Sequence, residues 1–319
     1  MAVKAGRKKK GRVYRRKRWV DSDEGVVRLR TKVIRRRRGE RAPRKDPGPR
    51  PLPRPQKPRA PWKPQPFDVY HGKFGRLEAM RLLNRAGFGP APGQAEKLAK
   101  LGMKKAVRSL TRPQGKAKLI GPEPVDGDGL PLAPFDSWGH DHLWWLDRMV
   151  RTNQPFRERM ALVFHDWFAT SNAGVSQQRQ MIDQYWTLRA GVNGTFDDLV
   201  VKVTKDPAML QWLNGGENNK WSPNENYARE LMELFTLGAD RGAYMEDDIR
   251  EAARALTGWR YDWDDDLGAV NFRFDPEFHD EDSKKIFGKK GKWDWRDVCR
   301  LCVTHKLHAS FFVDKLWSY

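Results

Sequence analysis

The sequence predicts an all-α, mainly helical multi-helix domain with at most a small β-hairpin, preceded by a disordered basic arm. Three observations predict it. Apolar residues beyond Phe74 recur at the three- and four-residue spacing of a helix face. Helix-starting and helix-stopping residues punctuate that pattern, and only Val270–Phe274 has the texture of a strand. The net charge of +20 is confined to the start: residues 1–66 carry 25 Lys and Arg against 5 Asp and Glu, and the remainder carries 36 of each.

The arm, residues 1–66, has few apolar side chains and strong self-repulsion, so burial cannot offset its ordering entropy. Basic clusters such as Arg35-Arg36-Arg37-Arg38 fill its first part. Prolines alternating with basic residues over 47–66 favour a stiff, extended spacer. A strand pair around Val26–Ile34 is expected only on a partner. Charge of this density suits sequence-independent contact with a polyanion, a nucleic acid or an anionic polymer. The charge-neutral remainder, 67–319, gives no such argument.

Helical punctuation begins with Phe74, Leu77, Met80 and Leu83 on one face and Gly87 as the stop. Short helices follow around 92–101 and 103–110. Residues 112–137 lack periodicity, which predicts a lid, a wrapping segment or a disordered insertion. Helices are then expected at roughly 138–152, 155–170, 177–190, 196–204, 207–213, 223–237 and 246–257. Asp206-Pro207 pairs a cap with proline at the first helical position. Ser222 with Glu225 suggests a capping box. Helices around 295–304 and 309–319 close the chain, which stops inside an apolar helical pattern and therefore reads as truncated.

Two cysteines, Cys299 and Cys302, cannot form a disulfide framework. No stretch approaches the roughly 20 apolar residues of a membrane helix. Arg15-Arg16 is followed by acidic rather than apolar residues, so no export signal is visible and a cytoplasmic location is expected.

Several side chains have chemistry to offer. On the helix 223–237, Asn224 shares an arc with Tyr227, Leu231, Leu234 and Phe235, while Glu230 flanks it. An amide facing a core needs a partner. Arg229 and Glu233 lie opposite, either as ligand-binding groups or as helical ion pairs. Lys220, in the loop leading in, could meet an anion. His165 sits at the edge of the apolar face of 155–170, either as a satisfied half-buried histidine or as a ligand or acid/base group. His140 and Asp147, with Trp144 between them, lie on the polar face of 138–152, which is either one wall of a ligand cleft or a face covered by the long loop before it. His279-Asp280, in a loop before Lys284, suits metal ligation or proton transfer. Arg254 and Lys284 are further ligand-binding candidates. Residues 262–268 fail as an EF-hand, having Leu267 and Arg273 at the glycine and glutamate positions. Cys299, Cys302, His305 and His308 turn through half a helix circumference, so four cannot converge on one zinc ion.

Arg81–Gly89, Glu158–Met160 with His165 and Phe168–Ser171, Pro223–Leu234, Ala253–Trp259, and His279-Asp280 with Lys284 and Phe287-Gly288 resemble, in order, the motifs of the bacterial domain of unknown function family numbered 1800. The resemblance covers about residues 74–319. It implies a helical family with no established activity. It also implies relatives that are often exported, commonly encoded beside a sulfatase-like family, and longer at the C-terminus. Trp167 stands where many relatives have a second histidine, Met245 where a capping threonine is usual, and Asp282 where a glycine is usual. The arm has no counterpart.

Two functions are compatible with these residues. The first is a binding or scaffold protein that docks a protein partner while its arm grips a polyanion. The second is a metal-assisted hydrolase, with His165, His279 and Asp280 as metal-binding or catalytic groups, Asn224 and Glu230 completing the cluster, and a divalent metal as cofactor.

Overall fold

The structure, a computed structural model, describes residues 70–319 and, before them, the backbone of one strand pair. The chain divides into two units, Met1–Val69 and Tyr70–Tyr319. In the first, β1 (Arg15–Arg18) pairs antiparallel with β2 (Arg30–Val33), with Arg15 opposite Val33. That pairing is made within the chain and reaches back well before Val26, where the sequence suggested a pair only on a partner. The expectation of a disordered arm otherwise lies outside the described residues.

The second unit is mainly helical, as the periodicity predicts. Its opening helices α1 (Arg76–Arg85), α2 (Gln94–Leu101) and α3 (Met103–Thr111) make a small core of their own. Ala79, Leu83, Ala95, Leu98, Ala106 and Leu110 form it. The non-periodic segment 112–137 proves to be a wrapping segment. Its carbonyls at Gly115, Lys116 and Gly121 accept from Gln154, Asn153 and Arg151.

Next come α4 (His140–Arg151), α5 (Pro155–Phe168), the single turn α6 (Asn172–Val175), α7 (Gln178–Gly191), α8 (Phe196–Thr204) and α9 (Pro207–Trp212). Asp206 caps α9 as expected, its carboxylate accepting from the Met209 N–H at 3.2 Å. The large core gathers Phe164, Trp167, Leu188, Val200, Leu231 and Phe235, among others, from α5, α7, α8 and the segment after α10. Burying each such side chain is worth about 1.5–3 kcal/mol.

The helix expected at 223–237 is instead α10 (Asn226–Glu230) running into a π-helix, Leu231–Thr236. The i→i+5 register is visible in the Leu237 N–H donating to the Met232 carbonyl at 2.8 Å. Widening a helix this way frees carbonyls that the next turn would have used. Other elements fill them. Trp167 Nε1 donates to Phe235 at 3.0 Å, His308 Nδ1 to Thr236 at 2.8 Å, and Lys315 Nζ to Leu234 at 2.7 Å.

After α11 (Glu246–Ala255), two hairpins interrupt the helices: β3 (Trp259–Asp264) with β4 (Gly268–Phe274), and β5 (Lys284–Ile286) with β6 (Lys289–Gly291). The strand predicted at Val270–Phe274 lies within β4. The second hairpin is only six strand residues and carries no alternation to announce it. Helices α12 (Trp295–Val303) and α13 (His308–Ser318) follow. Cys299 and Cys302 are buried free thiols, pushed up by burial and unsuited to reaction.

Candidate functional site

The candidate side chains do not meet in one place. His165 belongs to a cleft walled by α4–α7. His279 and Asp280 border a second, open depression with Lys220. Arg229 and Glu233 border a third. Among the described residues, no group of three His, Cys, Asp or Glu side chains stands together in a way that could hold a metal ion.

The depression near His279 gathers the most motif residues, and its polar groups are matched by the protein itself. Asp280 accepts from Arg254 Nε at 2.7 Å, and Arg254 also meets Glu251 at 2.9 Å. Lys284, 1% exposed, gives its ammonium to the carbonyls of Asp280 and Asp282, with Asp280 Oδ1 at 3.7 Å. His279 Nδ1 lies 2.9 Å from the Thr257 carbonyl, which only accepts, so Nδ1 carries the proton. Asp280 is held below the usual carboxylate range by Arg254, its backbone contact with Asp282 and Lys284, which outweigh burial. This is a clamp fixing the loop after β4 to the end of α11. Gly258 is essential to it. Its φ is +108°, and an added Cβ would fall 2.8 Å from the Phe274 ring and 3.1 Å from His279 Cβ.

Of the candidates on 223–237, Asn224 and Arg229 are satisfied locally. Asn224 precedes the helix instead of lying on its apolar arc. Its Oδ1 accepts from the Asn226 N–H at 2.9 Å, and its own N–H donates to Asn218. No Ser222–Glu225 capping box forms. Glu225 meets Arg229 at 3.0 Å, and Arg229 reaches Glu246 rather than Glu233. Glu230 keeps one buried oxygen without a protein partner, and its pKa is raised by burial and then by Glu233.

The cleft of α4–α7 is different. It encloses about 210 Å³. On α4, Leu143, Leu146 and Val150 are exposed, Val150 by 82%. The opposite face turns in, bringing Asp141, Trp144 and Trp145 to the cleft. Asp147 sits beside that face, bound bidentate by Arg151 at 2.6 and 2.9 Å. His140 accepts the Ala133 N–H at 3.1 Å and lies outside the lining.

Asp141 is 7% exposed. Its Oδ1 is 2.9 Å from His142 Nδ1, and its Oδ2 accepts from Asn172 Nδ2 at 3.0 Å. A carboxylate accepts only, so Asn172 must turn its oxygen the other way. That Oδ1 is buried with no partner among the described residues, and so is Trp145 Nε1. His165 packs edge-on to Trp145 at 4.9 Å and hydrogen bonds to no described residue. Burial holds its pKa below the ordinary 6.5, so it is a neutral imidazole at neutral pH.

Behind the cleft, Glu158 is 0% exposed and binds Arg189 Nε at 2.7 Å and the Tyr185 hydroxyl at 2.5 Å. Tyr185 accepts in turn from Arg148 Nε at 2.9 Å, and the Arg148 guanidinium lies over Trp186 at 4.5 Å and Trp144 at 5.0 Å. Burial and the adjacent carboxylate push the Tyr185 phenol well above its ordinary range. This network ties α4, α5 and α7 together behind the cleft. The Asp141–His142 pair is half of a nucleophilic relay, but no hydroxyl or thiol of a described residue bonds to either histidine. Trp144, on the α4 face read from the sequence, lines the cleft, whereas Asp141, Trp145 and Asn172 were not singled out, because their places depend on contacts between elements and Asn172 sits in a single turn.

These features define a class: a helical domain, two small hairpins set between its helices, and a polar, aromatic-walled cleft. The family described as "Protein of unknown function (DUF1800)" matches residues 81–319. The chain belongs to that family. No curated protein and no solved structure matches it. No helix among the described residues is long and apolar enough to cross a membrane.

Proposed function

We propose that the protein is a binding protein with two separate grips. The α4–α7 cleft takes a small polar ligand, and residues 1–66 contact a polyanion without reading its sequence. The observation that carries the first part is the pair of unpartnered buried atoms, Asn172 Oδ1 and Trp145 Nε1, on side chains that line one cleft. Leaving a buried polar atom unmade costs about 1–3 kcal/mol, so a ligand that meets both recovers that free energy on binding. The motif cluster around His279 supports the same reading by contrast, since Asp280, Arg254 and Lys284 are paired within the protein.

The arm supplies the second grip through its 25 basic residues, with affinity falling steeply as salt rises. A cytoplasmic setting and a protein partner docked on the helical domain belong to this reading. A metal-assisted hydrolase would need His165, His279, Asp280, Asn224 and Glu230 around one ion, and their separate locations remove its geometric basis.

Intrinsic fluorescence tests the cleft, because Trp144 and Trp145 form its wall. Titration with a panel of small neutral, cationic and anionic polar molecules is expected to give a saturable change for at least one class. That change should be weakened in Asn172→Ala. A panel that leaves the emission unchanged throughout contradicts the reading.

A further inference from the structure

Resting on the reading of the cleft as a binding site, we infer that its ligand is a neutral, hydroxyl-bearing ring the size of one monosaccharide or cyclic polyol. Four features of the cleft select this chemistry.

Size is the first. An apolar cavity of about 150 Å³ accommodates benzene, so about 210 Å³ suits a single six-membered ring with polar substituents. The second is the pairing of unmet needs. Trp145 Nε1–H requires an acceptor and Asn172 Oδ1 requires a donor. An ammonium or other cation accepts nothing and would leave the indole unpaired. A carboxylate or phosphate donates nothing at neutral pH, and it would face the Asp141 carboxylate. A hydroxyl group does both, and a ring with several hydroxyls does so at more than one place.

The third feature is Asp141 beside Asn172. Each Asp141 oxygen already accepts one bond and retains a second acceptor site. A carboxylate next to an amide therefore offers acceptors at the spacing of neighbouring hydroxyls on a ring. The fourth is the wall. Trp144, Trp145 and Tyr185 crowd one side, each tryptophan edge-to-face with Tyr185 at ring separations of 5.1 and 5.5 Å, giving aromatic apolar surface for the C–H groups of such a ring. Asn172 Oδ1 and Trp145 Nε1 are themselves shut off from solvent, so the ligand meets them as those two side chains turn about their own torsions. The backbone of α4 and α6 need not move.

Fluorescence titration of the full chain against glucose, galactose, mannose and myo-inositol tests this, with trimethylammonium, acetate and inorganic phosphate as the competing chemistries. At least one of the neutral polyols should bind saturably, and the charged probes should not. Trp145→Phe keeps the ring but removes the N–H, and Asn172→Ala removes the oxygen. Each is expected to weaken polyol binding roughly tenfold, the equivalent of one hydrogen bond. A circular dichroism melt confirms that each variant is folded, and Leu143→Ala on the outward face of α4 should bind as the unaltered chain does. Saturable binding of a charged probe without any polyol overturns this inference and leaves the binding reading standing. Binding of a polyol unaffected by both cleft variants also overturns it. No binding by any probe contradicts both.

Discussion

Individual side chains carry the strongest constraints on the helical domain. Glu158 is fully buried, and its partner Arg189 is only 11% exposed at the side chain. Truncating one member of such a pair leaves an uncompensated charge, so Glu158→Ala should lower stability by about 3–5 kcal/mol in urea unfolding. Asp206 tests a different term. Burial is the leading cause that pushes its carboxyl up to about 6, and hydrogen bonds from Gln184 and the Met209 and Ala208 backbone oppose it. A raised value means the folded state holds the proton more tightly than the unfolded chain. The contribution is therefore complete below the ordinary value near 3.8 and is lost as pH rises through about 6. Asn at this position still caps α9 but does not titrate. Asp206→Asn should remove about 2 kcal/mol of the stability change measured between pH 4 and 7. At this scale the sequence was partly legible. His165 could be recognised as half-buried from its place at the edge of an apolar face. Asp141 and Asn172 could not, because their roles depend on contacts between residues 31 apart.

At the scale of elements, boundaries and periods were legible wherever local chemistry decides them. Asp206-Pro207 starts α9, Thr195 caps α8 through the Asp198 N–H at 3.2 Å, and the hydrophobic spacing of α7, α8 and α12 was readable to within a residue or two. Two elements escaped for physical reasons. A wheel drawn at α-helical steps does not hold across Leu231–Thr236, where the register is one residue wider and Leu234 is turned outward. On α4 both faces carry large side chains, and packing chose the pair of tryptophans over Leu143, Leu146 and Val150. Tryptophan buries up to about 250 Å², more than any leucine. The clamp after β4 gives an element-scale prediction. Gly258→Ala must adopt a left-handed φ and press on Phe274 and His279, so it should cost about 1–3 kcal/mol from the backbone alone. Hydrogen exchange should show the amides of 279–284 losing protection before those of α5.

For the whole molecule, charge and fold are partitioned. The mean hydropathy of −0.82 describes the chain as a whole, yet the helical unit buries a large and a small apolar core, and the acidic and basic residues of 67–319 balance. That partition was legible from counting alone, and so was the helical class, which depends on many independent apolar stripes. The cleft between α4 and α7 was legible only at the Trp144 face of α4, because its other walls come from elements that meet only in the fold. The division predicts that the helical domain stands without the arm and that the arm adds affinity for polyanions. Removal of residues 1–66, with heparin retention and thermal unfolding read on the same sample, addresses this directly. The account predicts that retention at low salt disappears while the melting temperature is unchanged. Retention that survives the deletion, or a melt that collapses with it, would contradict the account.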